Sequence, residues 1–379
     1  MVLALIFVAS LYFLFLLLLR QGWKKALRTH SIPPPSRQPT VSVVIAARNE
    51  AANLGAVLAA LERQTLRGFE VVVVDDHSHD DTAAIARAFS GNPTYAINVV
   101  RLSARSGKKA AITTGVHRAR GSVILTTDAD CNVGPRWIES MVASFGPQVK
   151  FVSGGVRIGP AESFSAQLQA AEFASLVGAG ASAIGLGYPV MCNGANMAFT
   201  RDTFLEVGGY SGNDHIPSGD DVFLLQKVHA WYPGSTVFCP HADAVVETAA
   251  VSWRHFVNQR IRWGAKWRHA TSLTTPALAL FIGCFHLGWL LLLPAAIFSG
   301  AVVASVVLFL AKALLEMLYL REVHRFLGVK WSWPIFLLLQ LTYSAYVVIV
   351  GVLANFKAPS WKGRKIRRAL VEMDSRIGG

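Results

Sequence analysis

Paired cysteines are missing from this chain of 379 residues. The four cysteines show no Cys-x-x-Cys spacing, so we expect reduced thiols and no zinc site. Internal repeats and low-complexity tracts are also missing. The first apolar run has no positive charge before it and no small-residue cleavage site after it, which argues against a cleaved signal peptide.

Acidic residues are scarce. The chain has 23 Asp and Glu against 36 Lys and Arg, and the net charge of +13 suits nucleic acid, an acidic membrane surface or a phosphorylated substrate. The clearest basic clusters flank apolar segments and form no stripe with interleaved aromatic residues, so we expect no nucleic-acid partner. These clusters are Arg20, Lys24, Lys25 and Arg28, and then Lys357, Lys362, Arg364, Lys365, Arg367 and Arg368.

Apolar residues make up 53% of the chain, and the mean hydropathy of +0.40 is too high for an ordinary soluble enzyme. Residues 1–20 contain the uncharged run Val2–Leu19, which is long enough to span a bilayer. The basic residues that follow it predict a cytoplasmic location for the next part of the chain. Residues 21–40 are basic and rich in proline, which is typical of a stiff linker.

Residues 276–356 contain three further apolar stretches, roughly Ala277–Phe298, Ala301–Leu320 and Trp333–Leu353. Lys312 and Glu316 are spaced i, i+4 in the second stretch, which predicts an ion pair inside a helical bundle. Three full crossings would leave the basic tail, residues 357–379, on the side opposite the central domain, against the positive-inside tendency. Either one stretch does not cross, or the tail is an exception to this tendency. We expect a non-crossing or re-entrant stretch, and the sequence leaves open which one.

Residues 41–250 alternate between apolar runs and segments of helical periodicity. This alternation predicts an α/β domain with a mostly parallel, Rossmann-like sheet and right-handed crossovers. The predicted strands are Val41–Ala47, Glu70–Val74, Asn98–Leu102 and Ser122–Thr127, and the helices between them include Asp81–Phe89 and Lys108–Arg118. Residues 251–275 predict an amphipathic interfacial helix, because Trp253, Phe256, Trp263 and Trp267 fall on one arc.

Carboxylates follow two of the predicted strands. Asp75 and Asp76 end the second strand, and Asp128 and Asp130 follow the fourth. Ligands of open α/β sheets bind at the carboxyl ends of the strands, and two hard oxygen ligands suit Mg²⁺ or Mn²⁺. The alternative is that these residues only begin turns or cap helices.

Other polar residues allow both a functional and a structural interpretation. Lys108 and Lys109 follow Gly107 near a helix start, which suits a diphosphate or an ordinary solvated charge pair. The pair Asp220 and Asp221 opens a helix, where a carboxylate is a common cap and also a possible general base.

Together these segments resemble the membrane-embedded branch of family 2 glycosyltransferases, over roughly residues 41 to 267. That branch includes cellulose, hyaluronan and poly-N-acetylglucosamine synthases and ceramide glucosyltransferases. The matching segments are residues 43–50, 74–82, 107–111, 127–130, 193–199, 208–210, 219–221 and 259–263, and the last, Gln-Arg-Ile-Arg-Trp, is similar to the family's Q-x-x-R-W motif. Asp220 departs mildly from the family, in which Glu is common.

The resemblance implies a GT-A type fold and specific roles for these residues. Asp221 would be the catalytic base with Asp220 in support, and Asp128 and Asp130 would hold Mg²⁺ or Mn²⁺. The donor nucleotide would be bound by Asn49, Glu50, Asp75, Asp76, Lys108, Lys109 and Asp128. The diphosphate and the acceptor would be bound by Gln259, Arg260, Arg262 and Trp263.

The resulting prediction is a metal-dependent, inverting glycosyltransferase of a bacterial-type inner or plasma membrane, with its catalytic domain in the cytoplasm. It would transfer a sugar from a nucleotide donor, UDP-linked by resemblance, and form a β-linkage. A growing polysaccharide or a lipid-linked glycan is the favoured acceptor. A lipid, either ceramide-like or a polyprenyl phosphate, is the alternative, and an inactive membrane scaffold is a more distant one.

Overall fold

The computed structural model describes residues 2–28, 39–103, 106–214, 216, 219–265 and 273–356, and the backbone of residues 360–361 and 364–365. Residues 29–38, which are half of the predicted proline-rich linker, most of the basic tail and the predicted helical position Trp267 lie outside the described residues.

Seven strands form one mixed sheet in the order β3-β2-β1-β4-β7-β5-β8. Strands β1 to β4 are parallel, and β7 runs antiparallel to both of its neighbours. The prediction of a mostly parallel α/β sheet is therefore confirmed. The strands of this sheet are β1 (Val41–Ala47), β2 (Glu70–Asp75), β3 (Ala96–Arg101), β4 (Val123–Asp128), β5 (Phe151–Ser153), β7 (Met197–Thr200) and β8 (Thr236–Phe238).

Two short ladders accompany the main sheet. They are the parallel pair β6 (Val156–Ile158) and β9 (Val246–Thr248), and the antiparallel pair β10 (Ser360–Trp361) and β11 (Arg364–Lys365). The helices of the central domain are α2 (Leu54–Glu62), α3 (Thr82–Ala88), α4 (Lys108–Arg118), α5 (Trp137–Val142), α6 (Phe164–Gly185), α7 (Arg201–Glu206) and α8 (Asp220–Trp231), with a 3₁₀ turn at Ala242–Ala244. Helix α9 (Trp253–Gly264) follows this domain.

The register of the sheet brings the predicted carboxylates together. Ala47 in β1 pairs with Asp75 in β2, and Ala46 pairs with Asp128 in β4. These three strands are buried along nearly their whole length, as expected for parallel strands that are covered on both faces. The carboxyl end of β1 therefore lies between the two acidic strand ends.

Within the described ranges, four helices are long and apolar enough to cross a membrane: α1 (Val2–Ala26), α10 (Thr274–Phe298), α11 (Val302–Leu327) and α12 (Trp333–Phe356). Helices α1 and α11 each continue seven residues beyond the ends of the predicted apolar runs, Leu19 and Leu320. The predicted pair of Lys312 and Glu316 is present, with 2.9 Å between the ammonium nitrogen and a carboxylate oxygen. Tyr12 and Gln340 donate hydrogen bonds to the same carboxylate, so this buried network joins α1, α11 and α12.

Helix α6 connects the central domain to the apolar helices. Its last turns cross α1 so closely that a Cβ on Gly22 would overlap the carbonyl oxygen of Ser182, and one on Gly185 would overlap the carbonyl oxygen of Gly22. Glycine is required at such a crossing because the two backbones are in contact. Tyr319 of α11 also lies 2.9 Å from the hydroxyl of Ser182.

We expect Gly22→Ala to destabilise the protein, because the added methyl group must push α1 away from α6. Overpacking of this kind typically costs about 1–3 kcal/mol. The matched control is Gly283→Ala in α10, where a Cβ meets nothing within 4 Å among the described residues. Thermal unfolding in detergent should show a lower midpoint for Gly22→Ala only, and equal midpoints would contradict a close crossing.

Candidate active site

A cavity of about 690 Å³ lies at the carboxyl ends of β1 and β4, beneath α9. Its polar wall contains Arg48, Glu50, Asp76, Lys108, Asp128, Asp130, Asp220, Asp221, Gln259, Arg260, Arg262 and Trp263. The structure therefore brings most of the predicted site residues together. Asn49, Asp75 and Lys109 are predicted site residues that do not line this cavity.

The two carboxylates at the end of β2 differ in their surroundings. Asp75 is buried and accepts a hydrogen bond from the backbone of Ser78 at 3.0 Å, so it stabilises the turn after the strand. Asp76 lines the cavity, accepts from the backbone of Gly107 at 2.9 Å and lies 3.7 Å from the guanidinium of Arg48. Of the two, Asp76 is thus the one in a position to contact a ligand.

The loop after β1 is held in place by backbone and side-chain hydrogen bonds. Asn49 has a positive φ of 52°, and its side chain accepts from the backbone of His79 at 2.9 Å. The backbone of Glu50 donates to the hydroxyl of Thr82 at 2.8 Å. Asn49 therefore shapes the loop, while Glu50 lines the cavity.

The two adjacent lysines have different environments. The Lys108 ammonium lies 2.6 Å from Asp128 and 3.2 Å from Asp220, and so joins the end of β4 to the start of α8. Burial alone would lower the pKa of Lys108, but these carboxylates together with Asp221 outweigh burial and raise it well above its usual value. Lys108 therefore carries a positive charge in the centre of the site.

Lys109 points away from the cavity. Its ammonium donates to the carbonyl oxygens of Asn213 and Ile216 at 2.6 and 2.9 Å and lies 4.6 Å from the centre of the Phe223 ring. The predicted donor contact does not follow from this placement. Lys109 instead ties the loop before α8 to the start of α4.

A pair of oxygen ligands is available at the end of β4. Single ligand atoms of Asp128, Asp130 and Cys131 lie within 4.8 Å of one another. Burial and the neighbouring carboxylates Asp128 and Asp130 raise the pKa of Cys131, so its thiol stays protonated. Because hard oxygen ligands suit Mg²⁺ or Mn²⁺, Asp128 and Asp130 fit such a cation, and Cys131 does not need to contribute.

The pair Asp220 and Asp221 lies in the first turn of α8 and lines the cavity. Gly219 precedes the pair in a left-handed conformation, with φ 84°, which favours glycine. Gly194 approaches so closely that a Cβ there would lie 2.7 Å from an Asp220 oxygen and 3.2 Å from the Lys108 nitrogen. Gly194 thus leaves room for Asp220 to meet Lys108, and Gly219 allows the backbone turn that begins α8.

Helix α9 carries the remaining predicted residues, and its arginines Arg260 and Arg262 differ in their contacts. Arg260 is 4% exposed, and its Nε donates to both oxygens of Glu172 in α6 at 3.0 and 3.1 Å. Its guanidinium also lies between the rings of Phe256 and Trp263, 4.4 and 4.5 Å from their centres. Arg260 therefore anchors α9 to α6, and the predicted diphosphate contact does not follow from this placement.

Arg262 is the cation of α9 that remains available to an anion in the cavity. Its Nε is buried and has no hydrogen-bond partner among the described residues. Burial lowers the pKa of Arg262, while the carboxylates of Asp220, Asp221 and Asp128 favour its charged form. A buried guanidinium Nε without a hydrogen-bond partner among the described residues suits a phosphate oxygen.

Glu172 was not predicted from the sequence. It is 4% exposed and also accepts a hydrogen bond from Tyr346 of α12 at 2.9 Å. The available signal was its charge, because Glu172 is the only charged residue of the 22-residue helix α6. The apolar wall of the cavity was missed as well, and it includes Leu176 and Val177 of α6 and Leu278, Ala279 and Ile282 of α10.

Comparison with known proteins agrees with this geometry. Residues 42–207 match the family described as Glycosyl transferase family 2. The chain carries a family 2 glycosyltransferase domain. The matched region contains the carboxylates of β2 and β4 and every strand of the main sheet except β8, and the Asp220–Asp221 pair, β8 and α9 follow it.

Three curated relatives match part of the chain. Glycosyltransferase AglE of Haloferax volcanii is 36% identical over 32% of this chain. Undecaprenyl-phosphate 4-deoxy-4-formamido-L-arabinose transferase of Pseudomonas aeruginosa is 38% identical over 27% of this chain. Dodecaprenyl-phosphate galacturonate synthase of Rhizobium johnstonii is 34% identical over 29% of this chain. The chain spans 40%, 31% and 33% of the length of these relatives, respectively.

One solved structure is similar over most of its length. Mannosyltransferase PcManGT from Pyrobaculum calidifontis, determined in complex with GDP-Man and Mn²⁺, has a TM-score of 0.54 and 21% identity, over 92% of this chain and 95% of that one. At this identity the similarity shows the fold alone, and it confirms the predicted GT-A type architecture around the family 2 domain.

We expect Glu172→Gln to destabilise the protein strongly, because Arg260 would keep a buried charge without its counterion. Loss of one partner of a buried ion pair costs about 3–5 kcal/mol. The matched control is Glu322→Gln, since its pair with Arg20 is about a third exposed and such pairs contribute at most about 1 kcal/mol. Denaturant unfolding should separate the two variants, and similar losses would contradict an anchoring role for Arg260.

Proposed function

We propose that the protein transfers a sugar from a nucleotide-sugar donor to a phosphate-bearing lipid of the polyprenyl phosphate class, held in the membrane. The observation that carries the proposal is the shape of the cavity. It runs from the carboxylates at the sheet edge to the apolar side chains Leu278, Ala279 and Ile282 on α10. Because α10 is long and apolar enough to span a membrane, a lipid can lie along it with its head group at the carboxylates.

The acceptor class is also supported by two of the relatives, whose names specify undecaprenyl phosphate and dodecaprenyl phosphate. The polysaccharide acceptor favoured by the sequence analysis has less support than this lipid alternative. A polymer also needs a long polar path, whereas the inner wall of this cavity, formed by Phe173, Leu176 and Val177, is apolar.

The polar wall suits the donor and the reaction. Asp76 and Glu50 lie where the nucleoside part would bind, and Lys108 and Arg262 are positioned for the diphosphate. A divalent cation on Asp128 and Asp130 would stabilise negative charge on the departing nucleoside diphosphate. From the family resemblance we propose a UDP-sugar, a single displacement and inversion to a β-linkage, with the catalytic domain in the cytoplasm.

The proposed role of Asp221 depends on whether the acceptor group is a hydroxyl or a phosphate. A hydroxyl must lose its proton, and Asp221 is the proposed general base for that step. A phosphate monoester is already mostly ionised at neutral pH, since its second pKa is about 6. Asp220 forms an ion pair with Lys108 at 3.2 Å, so its proposed role is to hold the lysine that would contact the diphosphate.

We expect Asp130→Asn to weaken Mn²⁺ binding at least about tenfold. Loss of a residue that only hydrogen-bonds to a metal ligand already lowers metal affinity by about 10- to 100-fold, and Asp130 is a proposed ligand itself. Mn²⁺ titration followed by electron paramagnetic resonance, with UDP present, measures this directly. Asp243→Asn is the control, because Asp243 is 57% exposed, pairs with Arg136 and does not line the cavity. Equal Mn²⁺ affinities in both variants would remove Asp130 from the metal site.

The acceptor is tested with purified protein in nanodiscs, Mn²⁺ and a panel of UDP- and GDP-sugars. We expect nucleotide release with undecaprenyl phosphate, and none above background with undecaprenol, ceramide or an oligosaccharide, because these three lack the phosphate group of the proposed acceptor class. A glycosylated ceramide or a polymer as the product would overturn the proposed acceptor class.

The same assay with Asp221→Asn separates the two roles of this carboxylate. General-base catalysis is worth about 10² to 10⁴ in rate, so transfer to a phosphate acceptor should fall by less than about a hundredfold. A greater loss, with nucleotide binding unchanged, would show that the acceptor must be deprotonated. Asp202→Asn, on α7 outside the cavity, is the matched control.

A further inference from the structure

Helix α12 differs from the other apolar helices because both of its ends contact parts of the chain that pack on the catalytic domain. Helix α6 belongs to that domain, since it lies between β6 and β7 and lines the cavity. It therefore marks the side of the membrane on which the catalytic domain lies.

The first end of α12 is fixed through α11. The carbonyl oxygens of Leu327 and Gly328, at the end of α11, accept hydrogen bonds from Arg157 of β6 at 3.3 Å each. Trp331, just before α12, lies 5.2 Å from the ring of His324 in the last turns of α11. Helix α12 thus begins next to the catalytic domain.

The second half of α12 returns to the same domain. Tyr346 donates to Glu172 of α6 at 2.9 Å and stacks on Phe256 of α9 with 6.1 Å between ring centres. Near the end of α12, the Cβ of Ala354 lies 3.2 Å from the position of a Cβ on Gly264 in α9. Because α9 is anchored to α6 by Arg260, the second end of α12 also lies beside the catalytic domain.

Helices α10 and α11 behave differently. They are joined by a short turn next to which Phe298 and Val303 are 90% and 78% exposed. Gly288, in the second half of α10, faces Val8 in the first half of α1, whereas the last turns of α1 reach α6 at Gly22. The connection between α10 and α11 therefore lies at the end of the bundle remote from the catalytic domain.

The length of α12 determines where its two ends would lie if it crossed the bilayer. A helix of 24 residues is about 36 Å long, and one that crosses the hydrocarbon core of about 30 Å must carry its ends to opposite surfaces. The contacts of Trp331, Tyr346 and Ala354 hold the two ends of α12 on one side. A crossing is incompatible with these contacts.

We propose that α12 lies within the leaflet next to the catalytic domain and does not cross the bilayer. Its outward face meets lipid acyl chains, because the exposed side chains there are apolar and Trp333–Phe356 contains no charged residue. These exposed residues include Trp333, Leu337, Leu341, Ile349, Val352 and Phe356. Its inward face carries Gln340, Ser344 and Tyr346, which bond to α11, α10 and α6.

This topology places the basic C-terminal tail on the same side as the catalytic domain. Lys and Arg are absent from the sequence between residues 274 and 311, which includes the remote turn. Basic residues lie in the last turns of α1 and α11 and after the ends of α11 and α12, and they include Lys24, Lys25, Arg325, Lys330, Lys357 and Lys362. The charges then obey the positive-inside tendency, which three C-terminal crossings would violate.

Cysteine labelling tests the topology without reference to activity. Three variants, Ser375→Cys in the tail, Ser90→Cys on the catalytic domain and Ser299→Cys in the remote turn, are made in a chain with Cys192→Ser and Cys284→Ser. A membrane-impermeant maleimide is applied to sealed right-side-out cells and to inverted vesicles. The parent chain without added cysteines gives the background.

We expect Ser375→Cys to be labelled in the preparation that labels Ser90→Cys. It should not be labelled in the preparation that labels Ser299→Cys. Labelling of Ser375→Cys together with Ser299→Cys would show that α12 crosses and would overturn the proposal. Failure of the lipid-acceptor assay leaves this result unaffected, so the two proposals are tested separately.

Discussion

The buried ion pair between Glu172 and Arg260 holds the site and the membrane-facing part of the molecule in one arrangement. A charge pair removed from water is stable only when its remaining hydrogen bonds are satisfied. Here Tyr346 donates to Glu172, Gln259 accepts from Arg260, and the flanking aromatic rings add cation–π contacts. The pair sets the position of α9 along α6. Arg262, two residues further along α9, is directed toward the carboxylates as a consequence.

The centre of the site is organised by opposite charges that different elements supply. Lys108 from α4 lies between Asp128 of β4 and Asp220 of α8. Strand β4 directly follows α4 in sequence, whereas α8 comes much later in the chain. The carboxylates keep the lysine charged, and the lysine reduces their mutual repulsion. In the proposed reaction, contacts of the carboxylates with a cation and of Lys108 with a diphosphate would replace the contacts that these side chains make with each other.

Helix α6 joins catalysis to the membrane. One part of it contacts α1 at Gly22, another binds Arg260, and a third lines the apolar part of the cavity with Leu176 and Val177. A lipid head group can therefore reach the carboxylates while its hydrocarbon remains beside α10. The placement of α12 in the adjoining leaflet keeps this side of the molecule in contact with lipid.

Local pattern in the sequence determined the sheet and the acidic strand ends, because buried parallel strands read as apolar runs and Asp75, Asp76 and Asp128 end them directly. It also identified the Lys312–Glu316 pair, which is set by helical spacing. Sequence could not separate Lys108 from Lys109, or Arg260 from Arg262. Neighbours in a chain share composition but point in different directions, and the partner that neutralises each charge comes from a distant element. The path of α12 was likewise decided by tertiary contacts, since apolar length permits a crossing but does not require one.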